Sequence, residues 1–71
     1  MEFAIGENVK FIANGKFDYG NESEVVKITK TQIHIKYKHR DAPANGTIMK
    51  FNAKTLEQIS SSYYKNKIQK L

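Results

Sequence analysis

The sequence predicts a single all-β domain of five short strands, with one helical turn before the last strand and a short C-terminal helix or tail. Three observations carry this. Apolar and polar residues alternate in short runs, as strands with one buried face require. Stretches containing Gly, Asn and Asp, which reverse a chain, separate these runs. Two neighbouring runs also fit one antiparallel register. The 71 residues leave room for one small core. There is no Cys, so stability has to come from packing and backbone pairing.

The first strand is expected near residues 8 to 12, where Val9 and Phe11 alternate with Asn8 and Lys10. Residues 13 to 23, "ANGKFDYGNES", then form a long loop or distorted hairpin, with Phe17 and Tyr19 tucked back onto the barrel. The second strand falls near 24 to 29 and the third near 31 to 38. With Lys30 and Thr31 at the centre of the turn, Ile28 faces Ile33 and Val26 faces Ile35, which puts both apolar pairs on one face. Val25 then points outward opposite Lys36, and Lys27 outward opposite His34. "HRDAPANG" (39 to 46) carries the only proline and an Asn-Gly pair, so it is the next hairpin loop. The fourth strand is expected at about 47 to 51 with Met49 and Phe51 inward; pairing about Ala42 sets Ile35 opposite Met49, His34 opposite Lys50 and Lys36 opposite Ile48. "NAKTLEQIS" reads as a helical turn leading into a brief fifth strand that buries Leu56 and Ile59. In the tail, Ser60 to Ser62 can cap a helix, and Tyr64, Ile68 and Leu71 lie at i, i+4 and i+7. The expected organisation is a barrel over 1–59 and a basic helix or flexible tail over 60–71.

Five short strands, a long Gly-containing first loop, a tight central hairpin and a helical turn before the last strand resemble the SH3-like small barrel shared by Tudor and KOW domains. The resemblance covers residues 5 to 59 and is one of layout. Within it, "VVKITKTQIHIKY" followed by "GTIMKFNAKTLEQI" is similar to a pattern in small phage and prophage proteins of low-GC bacteria. The chain lacks the Trp and the Ala-Leu-Tyr-Asp-Tyr stretch of peptide-binding SH3 domains, which argues against proline-rich ligands. A Tudor-like reader of methylated lysine would need converging aromatics, for which Tyr19, Tyr37, Phe17 and Tyr63 are the available members. Gly15 and Gly20 occupy the region of the KOW loop without matching its surroundings.

The net charge of +5 comes from eleven Lys and one Arg against seven carboxylates, and it is unevenly spread. Residues 1 to 26 sum to −3 and residues 27 to 71 to +8. The Lys-for-Arg skew, with many Ile and Asn, suits an AT-rich coding genome. The register sets Lys27, His34 and Lys50 side by side across three strands, with Lys36, Lys38 and Arg40 nearby. Opposed like charges cost stability unless an anion lies over them, and phosphates would supply one, with salt-dependent and largely sequence-indifferent binding. The competing reading is a solvated face whose lysine stems splay into water. A protein-binding role is the alternative, with Phe17, Asp18, Tyr19, Glu22 and Glu24 of the acidic loop receiving a basic segment of a partner; here the competing reading is that these residues serve the loop's own backbone and solubility.

Other chemistries have less behind them. His34 and His39 with Asp41 lack a third histidine or a cysteine for a metal site. No Ser-His-Asp constellation or phosphate-loop spacing exists. The expectation is a non-enzymatic binding module without cofactor or metal, monomeric, with no signal peptide or membrane span and a cytoplasmic location. Tyr63 and Tyr64 are expected to pack on their own domain, the other reading being contact with a partner.

Overall fold

A computed structural model describes residues 2–59 and 65–71. Its elements are β1 (Asn8–Ala13), β2 (Phe17–Asp18), β3 (Ser23–Ile28), β4 (Gln32–Lys36), β5 (Ile48–Asn52) and β6 (Lys67–Lys70). All pairings are antiparallel, in the order β2-β1-β3-β4-β5, with β6 also on β1. The sheet curls into a small half-barrel, a layout compatible with the SH3-like fold. Its two ends are tied together by the segment after β5: Gln58 bridges Phe51 of β5, and Glu57 bridges Lys67 of β6.

Alternation builds the core. Val9 and Phe11 from β1, Val25 from β3, Ile33 and Ile35 from β4, Tyr37 just beyond it, Phe51 from β5 and Ile68 from β6 form one buried cluster, with Met49 and Leu56 packed against it. Asn14 and Gly15 both take positive φ (54° and 76°) at the β1–β2 reversal, where an Asn-Gly pair is least strained. In the β3–β4 turn, the Thr29 hydroxyl accepts the N–H of Gln32 at 3.0 Å, and the Thr29 N–H donates to the Gln32 carbonyl at 2.9 Å.

The β4–β5 register agrees with expectation at every pair, including Ile35 with Met49, His34 with Lys50 and Lys36 with Ile48. The β3–β4 register agrees at Ile28–Ile33 and Lys27–His34, but an irregularity between Val25 and Lys27 changes the remainder. Val26 is an extra residue there, so Val25 faces Ile35 and Glu24 faces Lys36. A bulge of one residue inverts the facing of everything beyond it. Val25 is therefore fully buried instead of outward, while Ile28, at the rim, is 41% exposed.

Four further expectations are corrected. No helix forms over 52–59: the Asn52 side chain accepts the N–H groups of Lys54 and Thr55, and Leu56 at φ 63° ends the turn at once. A left-handed leucine cannot propagate a right-handed helix. Residues 57–58 make isolated bridges in place of a fifth strand; Leu56 packs on the core, but Ile59 is exposed. The expected C-terminal helix is replaced at 67–70 by β6, which pairs with β1 from Val9–Lys70 to Ile12–Lys67. One short helix is marginal alone, whereas the edge of β1 offers a row of backbone partners. Ile68 points into the core and Leu71 is exposed; Tyr64 and the Ser60–Ser62 cap lie outside the described residues. Finally, Phe17 does not tuck inward. It is 51% exposed, with the Lys16 ammonium 5.4 Å from its ring.

Candidate nucleic-acid interface

The outer face of β3, β4 and β5 carries the row anticipated from the register. Lys27 pairs with His34 and His34 with Lys50, and in strands side chains so paired stand on one face. The bulge leaves this row intact, since the parity changes only on the Val25 side of Lys27. Beside it runs a second row, Glu24, Lys36 and Ile48.

His34 is half-buried between its two lysines. Desolvation first, then the charges of Lys50 and Lys27, hold its pKa below the ordinary histidine value. Its Nε2 lies 2.9 Å from Gln32 Oε1. With the amide oxygen as acceptor, the Nε2–H tautomer is the neutral form that makes this bond. At neutral pH the row thus holds two ammonium groups flanking a neutral imidazole, which an anion lying over its neighbours would help to protonate.

Among the described residues the ion pairs are Lys10–Asp18, Lys38–Glu24 and Lys70–Glu7. Lys27, Lys36, Lys50 and Arg40 have no carboxylate partner among them, whereas Lys38 is held 3.3 Å from Glu24. The acidic residues are more occupied. Asp18 accepts the Gly20 N–H at 2.8 Å and sits 3.4 Å from Lys10; the backbone bond first, then the lysine, lower its pKa. Glu24 is committed to Lys38, while Glu22 is exposed.

The two expected sites meet at one place. Asp18, Tyr19 and Glu22 line a cleft of about 270 Å³ together with Lys38, His39 and Arg40. Phe17, on β2, is not among these lining residues.

Sequence reasoning missed the aromatic cluster beside this cleft. The rings of Phe11 and Tyr37 are 4.6 Å apart. Tyr19 stacks at 6.5 Å on Phe11 and lies 5.2 Å from His39, which is parallel to Tyr37 at 6.4 Å. Of the aromatics considered for a cage, Tyr19 and Tyr37 come near one another through Phe11 and His39; Phe17 stands apart and Tyr63 lies outside the described residues. The available signal was Tyr37, an inward position at the mouth of the third predicted strand, followed by His39 two residues on. His39 is engaged with these rings, and no three His, Asp or Glu side chains converge on a metal-binding point among the described residues. Nor does any helix long and apolar enough to cross a membrane occur among them.

No protein-family model matches the chain, and neither the curated proteins nor the solved structures contain a significant match to it.

Proposed function

We propose that this protein is a non-enzymatic binding module that contacts nucleic acid through the basic outer face of β3, β4 and β5. The observation that carries the reading is the row Lys27, His34, Lys50, three adjacent positions with no described carboxylate to offset them. Side-by-side ammonium groups on a sheet repel, and a phosphate backbone laid across the strands turns that cost into attraction. Lys36 extends the surface on the same strand, and Arg40 and Lys38 carry it toward the 37–47 loop. The lysines neutralise phosphate, and His34 adds charge when a phosphate draws a proton onto it. The Lys-rich, Arg-poor composition supports a source in a low-GC bacterium or its phage, with a cytoplasmic, monomeric protein as the simplest setting.

The rival reading, capture of a basic protein segment by Phe17, Asp18, Tyr19, Glu22 and Glu24, is favoured by the exposure of Phe17 and Tyr19. It is weakened by the engagement of Asp18 and Glu24 with lysines of the same chain.

Titration of single- and double-stranded oligonucleotides at several salt concentrations tests the proposal. Affinity should fall steeply with salt, and each of Lys27→Gln and Lys50→Gln should reduce the logarithmic salt slope for duplex by roughly 0.9. Absence of binding at low salt removes the reading. A nuclease-treated pull-down whose specific capture is lost on charge reversal at Glu22 and Glu24 would establish the rival instead.

A further inference from the structure

The aromatic cluster forms the floor of a groove that the basic row does not explain. Phe11, Tyr19, Tyr37, Pro43 and Met49 are among the residues lining about 580 Å³ of open space bordered by β1, the segment after β2 and the loop after β4. Tyr37 is almost fully buried while Tyr19 is 43% exposed, so the first belongs to the floor and the second offers a ring to a ligand. The groove adjoins the cleft through Tyr19, which lines both, and Lys38, His39 and Arg40 line that cleft together with Asp18 and Glu22. Lys38 to Arg40 continue β4, the strand that carries His34 and Lys36 on the basic face.

From this juxtaposition we infer that the groove takes one unpaired base of the bound strand, stacked on Tyr19, with the adjoining phosphates on Lys38 and Arg40; the protein is thereby selective for single-stranded over double-stranded nucleic acid. The inference rests on the nucleic-acid reading above and adds a strand preference to it.

Three arguments favour a base as occupant. A base is flat and apolar on its faces, which suits an aromatic floor, and polar at its edges; the His39 Nδ1, in the adjoining cleft, has no hydrogen-bond partner among the described residues, while Asn66, which lines the groove, is held by Asn14 and Gln58. The rings already touch one another, so seating a further π system requires little reordering. Finally, Arg40, without a carboxylate partner among the described residues, and Lys38, which shares its ammonium with Glu24, line the cleft next to the groove, and an anionic backbone is needed on either side of a stacked base. Within a duplex the bases are stacked on each other and cannot enter.

The test compares an oligo-dT strand of about ten nucleotides, within single-strand site sizes, with a duplex of the same length, by fluorescence anisotropy on the full chain at low salt. Tyr19→Ala should weaken single-strand binding by roughly 10-fold or more and leave duplex affinity unchanged, and Tyr19→Phe should restore the single-strand affinity. Circular dichroism checks that the variant folds; if Tyr19→Ala does not, Tyr19→Leu keeps apolar cover over Phe11 while removing the π face, with the same outcomes expected. Equal losses on both nucleic acids, or no loss on either, would overturn the inference, the second result leaving the groove to a protein ligand. Wild-type binding to duplex as tight as to single strand would also overturn it while sparing the basic-face reading. If wild type binds neither, the basic-face reading fails and the base site falls with it.

Discussion

Val25 and Ile35 face each other across the β3–β4 pair, both completely buried, while Val26, the next residue, is the extra residue of the bulge. Two adjacent valines thus have unequal energetic weight. Val25→Ala removes fully buried methyls and should cost roughly 1.5–3 kcal/mol, whereas Val26→Ala should cost less than about 1 kcal/mol. Urea unfolding of the two variants checks this, and a larger loss at Val26 would mean that the strand pairs without the bulge.

His34 gives stability a pH dependence of definite sign. Its folded pKa lies below the ordinary value because of desolvation and the charges of Lys50 and Lys27, while in the unfolded chain it titrates near pH 6.5. Between those two values the unfolded state holds more protons, so stability should fall as pH drops through about 6.5 toward the lowered folded pKa. His34→Gln should flatten that limb, as followed by urea midpoints across the range. Oligonucleotide affinity should move the opposite way, rising as pH falls, because phosphate beside the row favours the imidazolium. An affinity that does not vary with pH would place the phosphates away from His34.

A second limb belongs to the clasp between the two ends of the described chain. Lys70 donates to Glu7 Oε2 at 2.7 Å and to the Glu2 carbonyl, and its ammonium lies 5.0 Å from the Phe3 ring. The hydrogen bond from Lys70, then the one from the Ala4 N–H, hold the Glu7 pKa below its ordinary value. This contribution is present above the unfolded glutamate pKa of about 4.3 and is lost as pH falls through the lowered folded value. Glu7→Gln should therefore lower stability at neutral pH and make it less sensitive to acid in that window. The pH dependence of the thermal midpoint for both proteins reads this directly; parallel curves would show that the contact contributes nothing.

These particulars show what was legible in the sequence. The β4–β5 register, and with it the Lys27–His34–Lys50 row, could be read because Ile33, Ile35 and Phe51 are each isolated between polar neighbours, leaving one parity that buries them and puts Met49 on the same face. At β3 the pattern "EVVKI" buries a valine in either parity, so alternation alone cannot locate a bulge. In "KIQK" a single isoleucine between polar residues satisfies a helix and a strand equally, and only the exposed edge of β1 decides between them. The aromatic groove was hidden for a different reason: Phe11, Tyr37 and Met49 are inward residues on separate elements, indistinguishable in sequence from core, and only the curl of the sheet brings them to one mouth beside Tyr19.

The sharpest consequence concerns the C-terminal segment. As β6, Ile68 is 1% exposed and Leu71 63% exposed, whereas a helical stripe of Tyr64, Ile68 and Leu71 would bury both. Ile68→Ala should cost roughly 2–4 kcal/mol, as large-to-small changes at buried isoleucines do, and Leu71→Ala should stay within about 0.5 kcal/mol, as for surface positions. Removing residues 65–71 uncovers the β1 edge and the Ile68 site together, and for a domain with so small a core this should abolish cooperative unfolding. Urea denaturation of the two point variants and the truncated chain checks the set. Comparable losses at Ile68 and Leu71, or a truncated chain as stable as the full one, would mean that the segment docks in some way other than as a strand on β1.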